Sequence, residues 1–282
     1  MSIITTYADY TQLDIKQQFE LVKSMELGQI SIRSSKVEDE KLLKQAIKET
    51  GLKVVNFDSE LKPYDLYDEQ QHLEALSFFA EKAAIAKEIK AQNIYFEIPR
   101  VKDIINEYMF VVEKLNDYLA ITRKNKLNLV IKPSLGNKTN TYVYLLKQFK
   151  TKDISMMYDT KHLYLNNESL ITSYRILKPY IKVLKIADLN KENVPVLIGY
   201  GNLKLAEVFK SFIRDKYQGI VELDTNLFEL IEEKKVGFFK KFSKKYKNEL
   251  KNKESLEKKL GTLDLEVVLK NQIKVLKTVF NG

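Results

Sequence analysis

Leu127-Asn128-Leu129-Val130-Ile131-Lys132-Pro133, Ile154-Ser155-Met156-Met157-Tyr158-Asp159 and Ile181-Lys182-Val183-Leu184-Lys185-Ile186-Ala187-Asp188 are three short, mainly apolar runs, each followed by a helical pattern. Apolar runs of this length, bounded by Pro or Asp, predict buried strands. The helical stretches that separate them, near 141–149 and 168–177, are long enough to return the chain for a parallel neighbour.

The same rhythm extends in both directions. Upstream, strands are predicted at 3–6, 29–33, 52–58 and 93–97, with helices near 13–25, 37–49, 69–91 and 101–124. Gly51 suits the stop of the second helix, and Pro99 and Pro133 close two strands. Leu73, Leu76, Phe79, Ala80 and Ala83 recur at helical spacing in the third helix. Downstream come a helix near 205–216, a strand at 219–224 and a last helix at 264–280. Eight strand–helix units predict an α/β fold, a single (β/α)8 TIM barrel, as one domain over residues 1–282. With only nine glycines, the loops are expected to be short or to use Asn and Asp.

One interval breaks the rhythm. Residues 226–262 exceed a normal βα loop and read as a basic helical insertion. Phe238, Phe239, Phe242, Tyr246 and Leu250 fall on one helical face among lysines. The plain reading is an extra helix packed on the barrel or on a partner subunit, which makes a homodimer compatible with the sequence. A membrane-surface or polyanion contact is the other reading.

Composition narrows the chemistry. The chain has 282 residues, is 44% hydrophobic and 30% charged, and carries a formal charge of +9. Eleven Lys and three Glu between Lys234 and Lys259 supply +8, so the rest carries about +1. A whole-domain nucleic-acid footprint is not expected. With no cysteine, disulfides, thiolate catalysis and Cys-ligated metals are excluded. His72 and His162 are the only histidines. No run approaches the ~18–20 apolar residues of a membrane span, and the first residues do not read as a secretory signal. A cytoplasmic location is the expectation. No Gly-rich phosphate loop points to a nucleotide cofactor.

In such a barrel the active site lies at the carboxyl ends of the strands. Arg33, Glu97, Lys132 and Asp159 end four predicted strands. Lys185 and Glu222 lie in the last two, with Val183 and Ala187, and Ile220 and Asp224, on their respective faces. Lys132, Asp159, Lys185 and Glu222 stand on four consecutive strands and are expected to share a polar pocket. Taken singly, each could equally be half of an ion pair that caps the barrel.

Met157-Tyr158-Asp159-Thr160-Lys161-His162 resembles the Asp-x-x-His step of the xylose isomerase-like barrels. That family includes sugar-phosphate isomerases and epimerases, inosose dehydratases and endonuclease IV. The run Val183–Asp188, then Pro195 to Asn202 with Gly199 and Gly201, resembles its strand-seven and Pro-x-Gly-x-Gly pattern. Tyr217-Gln218-Gly219-Ile220-Val221-Glu222 resembles its Tyr-x-Gly-x-x-x-Glu ending.

The resemblance implies one divalent metal held by Glu, Asp, His and Glu on strands five to eight. Asp159 and Glu222 match, but Lys132 and Lys185 occupy the other two positions. An ammonium is a donor only and cannot ligate a cation, so no metal or other cofactor is expected. Two ammoniums could instead restore the missing charge and stabilise the oxygens of a sugar or an enediolate. A buried lysine with a lowered pKa would also permit a Schiff base.

The expected function is therefore a metal-independent sugar or sugar-phosphate isomerase or epimerase in carbohydrate metabolism. Glu222 is the first candidate base, with Asp159, Lys132 and Lys185 as the other catalytic candidates. His162, Glu97, Arg33 and Arg100 are candidate substrate contacts, the two arginines for an anionic group. The alternatives are a non-catalytic carbohydrate-binding relative, in which Lys132–Glu222 and Lys185–Asp159 pairs merely brace the barrel, and a nucleic-acid-associated member of the endonuclease IV-like fold.

Overall fold

The structure is a computed structural model that describes residues 1–8, 13–37, 39–150, 153–224 and 265–282. The predicted insertion 226–262, with its lysines, lies outside the described residues.

Strands and helices alternate along the chain: β1 (Ile3–Thr6), α1 (Ile15–Ser24), β2 (Gln29–Arg33), α2 (Glu40–Thr50), β3 (Lys53–Asp58), α3 (Glu69–Glu88), β4 (Asn93–Glu97), α4 (Ile104–Asn125), β5 (Asn128–Lys132) and α5 (Thr139–Leu146). Then follow β6 (Ile154–Asp159), α6 (Thr160–Leu165), α7 (Leu170–Leu177), β7 (Ile181–Ile186), the hairpin β8 (Asp188–Leu189) and β9 (Pro195–Val196), α8 (Leu205–Arg214), β10 (Ile220–Leu223) and a final helix α9 (Leu265–Asn281). All eight predicted strand–helix units are present. The short α6 and the hairpin are additions that no sequence period announced.

Helix starts follow local chemistry. Asp14, Asp39, Asp68, Asp103, Asp159 and Ser169 each accept a backbone N–H at a helix N-cap, and Asp14 forms a full capping box with Gln17. Gly51 ends α2 at φ 73°. The other left-handed turns are not mainly Asn or Asp. Lys90, Lys126, Lys204 and Lys216 hold φ of 51–58°, alongside Asn167 and Asn193. The expected economy in glycine is real, but lysine shares the positions.

The eight parallel strands form one sheet in the order β1-β10-β7-β6-β5-β4-β3-β2. Its ends come together where Thr5 Oγ1 on β1 meets Ser31 Oγ on β2 at 3.3 Å, so the barrel is nearly closed. Two apolar layers result. The larger lies between strands and helices, with Phe57, Phe79, Phe96, Tyr118, Tyr158 and Phe212 fully buried. The smaller fills the barrel itself: Val55, Tyr95, Val130, Met157, Val183 and Ile220, topped by Tyr7. Above this plug the inward positions turn polar. Asp159, Lys185, Glu222 and Thr5 stand in register across β6, β7, β10 and β1. Glu97 stands beside Lys132 across β4 and β5.

Candidate functional site

Glu222 forms the floor. Its Oε2 accepts from Ser31 Oγ (2.6 Å), Tyr95 OH (2.7 Å) and Asn56 Nδ2 (2.9 Å). Tyr95 reaches it from β4, on the far side of the barrel. The side chain is completely buried, and Oε1 has no hydrogen-bond partner among the described residues. Burial pushes the carboxyl above its usual range, although Lys185 and the three donors pull the other way.

Two lysines anchor the walls, with partners other than those expected. Lys132 Nζ donates to both oxygens of Asp58, each at 2.9 Å, and not to Glu222. Lys185 Nζ lies 3.7 Å from Asp224 Oδ1, and Lys161 Nζ lies 3.1 Å from Asp224 Oδ2. Asp159 pairs with His162. The bracing pairs Lys132–Glu222 and Lys185–Asp159 are thus corrected to Lys132–Asp58 and Lys185–Asp224. Asp58 ends β3, two strands from Lys132 on β5, and Asp224 follows β10, the neighbour of Lys185 on β7, so each long-stemmed ammonium reaches a carboxylate beyond the expected one.

The carboxylates respond to these cations. Burial alone would raise Asp58, but the Lys132 ammonium and Arg33 guanidinium hold it below the usual range. Burial likewise opposes Asp224, which Lys185 and Lys161 hold low. Lys185 is itself held above its ordinary value: burial would lower it, but Asp224, Asp159 and Glu222 outweigh that effect. At Lys185 the expectation of a lowered lysine pKa is not met. Burial lowers a lysine only where it outweighs the neighbouring carboxylates.

The Asp-x-x-His step has a local cause. Asp159 ends β6 and caps α6. Its Oδ1 accepts the backbone N–H of His162 (3.0 Å), and its Oδ2 lies 2.9 Å from His162 Nδ1. One carboxylate so fixes the third helical residue by its backbone and by its ring. Burial opposes the Asp159 charge, but His162, Lys185 and Lys161 hold the carboxyl far below the usual range.

Of the remaining expected contacts, Arg33 and Glu97 join the cluster. The Arg33 guanidinium lies 4.6 Å over the Tyr7 ring. Glu97 is half-buried and makes no hydrogen bond among the described residues. Burial raises its carboxyl, against the pull of Lys132 and His162. Arg100 stands apart: it is exposed, and its aliphatic stem lies over Gly136. The sequence reading passed over Asp58, Asp224, Tyr7, Ser31, Asn56, Tyr95 and Lys161 as site residues. Asp58 ends β3 and was findable by the rule that picked the other strand ends. Asn56 and Ser31 gave no signal, because the β2–β3 register slips beside them.

The donor set does not fit the metal that the resemblance implies. Two of the four strand positions are ammoniums tied to Asp58 and Asp224. Asp159 is engaged by His162, and Glu222 Oε2 by three donors. Among the described residues no group of three or more His, Asp or Glu side chains is arranged to hold an ion.

A (β/α)8 barrel with charged side chains gathered at the carboxyl ends of its strands defines the class. Residues 18–242 match the model of the xylose isomerase-like TIM barrel family, and the chain belongs to that family. No curated protein matches the sequence. The fold is similar to 3-keto-D-glucoside 4-epimerase from E. coli, with 17% identity, 90% of this chain and 100% of that one covered, and a TM-score of 0.65. It is similar to D-psicose 3-epimerase from Clostridium cellulolyticum H10 solved with D-tagatose (15%, 99% and 99%, TM-score 0.70). It is similar also to the IolI protein with a bound zinc atom (14%, 99% and 98%, TM-score 0.73). At these identities the likeness is one of fold.

Proposed function

We propose that the protein acts on a small sugar or sugar phosphate as an isomerase or epimerase that uses no resident divalent metal. One observation carries the reading: the mouth balances its charge from its own side chains. Arg33, Lys132, Lys161 and Lys185 face Asp58, Glu97, Asp159, Glu222 and Asp224. Burial pushes two of those five carboxyls, Glu97 and Glu222, toward their neutral forms. Four cations already stand against five carboxyls, so little uncompensated negative charge remains to hold a 2+ ion. Lys185 and Lys132 supply the positive field in which an enediolate oxygen is stabilised. Asp159 and Glu222 complete the charged set, with the unpaired Oε1 of the completely buried Glu222 in its floor. Glu97 contacts hydroxyls, His162 stands at the reacting carbon, and Arg33 is suited to an anionic group. Arg100 could reach only a substituent projecting over the rim. The sugar epimerases among the similar structures support the substrate class.

The pairing of Lys132 with both oxygens of Asp58 favours a second reading, a carbohydrate-binding relative without turnover. Metal analysis and a thermal-shift titration with D-tagatose decide the first. The expected outcome is a ligand-dependent rise in melting temperature and D-tagatose conversion, both unchanged by a chelator. Activity lost with the chelator and restored by Mn2+ refutes metal independence. Binding without conversion selects the second reading. Lys132→Glu/Lys185→His, which restores the implied ligand set, is expected to acquire Mn2+ binding that the parent lacks.

A further inference from the structure

We propose that Asp159 and His162 form a proton-transfer dyad at the barrel mouth, in which Asp159 holds the ring and His162 Nε2 exchanges a proton with a substrate carbon. The inference rests on the isomerase reading for its substrate and on the geometry for everything else.

The geometry assigns the ring atoms. Asp159 is almost fully buried, stands in register with Lys185 across β6 and β7 and accepts the His162 backbone N–H, the surroundings of a carboxylate that only accepts. The 2.9 Å contact of its Oδ2 therefore requires the proton on His162 Nδ1. In the neutral ring the lone pair is then left on Nε2. That atom has no hydrogen-bond partner among the described residues, and the side chain keeps 30% of its surface exposed. Oδ1 of the same carboxylate binds the His162 backbone N–H, so the cap of α6 fixes the carboxylate against which the ring is held. This is the arrangement a general base needs: an open basic nitrogen and a carboxylate that fixes the tautomer.

The loss of metal ligation gives Asp159 this freedom. A carboxylate on a divalent ion would direct its electron density at the ion. With Lys132 and Lys185 in place of two ligands, Asp159 spends one oxygen on the imidazole. Lys185 and Lys161 flank the dyad, and Glu97 lies across from it within electrostatic reach of the ring.

The step balances without a co-reactant. His162 Nε2 takes the proton from the carbon next to a sugar carbonyl. The C–H electron pair forms the enediolate double bond, and the carbonyl π pair moves to its oxygen, facing the lysines. Return of the proton to the neighbouring carbon, with the hydroxyl proton there passing to the enediolate oxygen, gives an isomer, and delivery of a proton to the opposite face of the first carbon gives an epimer.

Two measurements separate this proposal from the reading it rests on. The first needs no substrate. Nitrogen-15 NMR of the full chain is expected to show His162 as the Nδ1–H tautomer, and Asp159→Asn is expected to lose that preference. Diethylpyrocarbonate, which acylates an open unprotonated imidazole nitrogen, is expected to modify His162 and to spare the buried His72. An Nε2–H tautomer, or a His162 that resists acylation while the protein is folded, overturns the dyad. The second measurement follows deuterium uptake from D2O into D-tagatose. His162→Gln is expected to slow it about 100-fold, within the usual worth of a general base, with D-tagatose binding kept within about threefold. Asp159→Asn is expected to slow it at least tenfold, and imidazole is expected to rescue His162→Gly. Uptake by His162→Gln at the parental rate overturns the dyad. No uptake by the parent, with the tautomer as expected, overturns the isomerase reading of D-tagatose and leaves the dyad standing on its first test.

Discussion

The chain has two histidines, each beside an aspartate, in different regions. His72, on α3, is completely buried in the helix layer. Its Nε2 lies 3.0 Å from Asp117 Oδ2, its Nδ1 lies 3.4 Å from Tyr64 OH, and the Tyr118 ring packs edge-on at 5.8 Å. Both nitrogens are occupied and the ring is walled in. His162, at the mouth, has one nitrogen held and the other open. The same pair of residue types is a structural clasp in one place and a reactive group in the other. What separates them is the second nitrogen, not the carboxylate.

The contrast can be broken or sharpened in order of expected effect. Asp224→Ala should be the most damaging change, because it leaves the buried Lys185 and the half-buried Lys161 without their shared partner. Loss of one member of a buried ion pair costs ~3–5 kcal/mol, to be read from urea unfolding. His72→Ala should cost ~2–4 kcal/mol, from a cavity and the lost contacts to Asp117 and Tyr64. Its ligand binding at the mouth should stay parental by calorimetry, and a weakened site would break the comparison.

Acid should act next. The depressed Asp58 and Asp224 stabilise the fold fully above the ordinary aspartate value of ~3.9. That contribution fades as pH falls through their lower folded values. Glu222 has the opposite sign. Its raised folded value means that stability is lost as pH climbs from the ordinary glutamate value through the folded one. A series of melting curves should therefore fall steeply below about pH 4. Glu222→Gln should raise the melting temperature at neutral pH more than at pH 4, since the amide oxygen can keep the three donors and the amide nitrogen can take the place of the unpaired Oε1. A lower melting temperature at neutral pH would mean that the carboxylate charge is needed by Lys185. The smallest effect belongs to His162→Gln, about 1 kcal/mol or less in the same unfolding assay, since its ring is partly exposed and loses one hydrogen bond. A loss as large as that of His72→Ala would erase the distinction between clasp and reactive group.

Most of the barrel was legible because its signals are local. Apolar runs of four to eight residues, helical spacing and Asp caps set β1 to β7 and β10 to within a residue or two of the predicted bounds. The short α6 escaped because it continues directly from β6 through Asp159, with no loop residue to mark it. The β8–β9 hairpin escaped because two-residue strands have no period. In the site, strand-end position and alternation brought Arg33, Glu97, Lys132, Asp159, Lys185 and Glu222 to one end. The same rules could not rank their partners, and Arg100, expected as a contact for an anionic group, lies outside the cluster.

The sequence by itself determined the strand–helix alternation, the concentration of charge at the carboxyl ends of the strands and the replacement of two metal-ligand positions by lysine. Each of these depends on residue type and on spacing within one element. Only the tertiary structure decided that Lys132 takes Asp58, that Lys185 shares Asp224 with Lys161, that Glu222 is clasped from across the barrel by Tyr95, and that one histidine keeps an open nitrogen. Those outcomes depend on register between strands and on which long side chain reaches a carboxylate first. Both are set by closing the barrel, which joins residues as distant in sequence as Ser31 and Glu222, 191 positions apart.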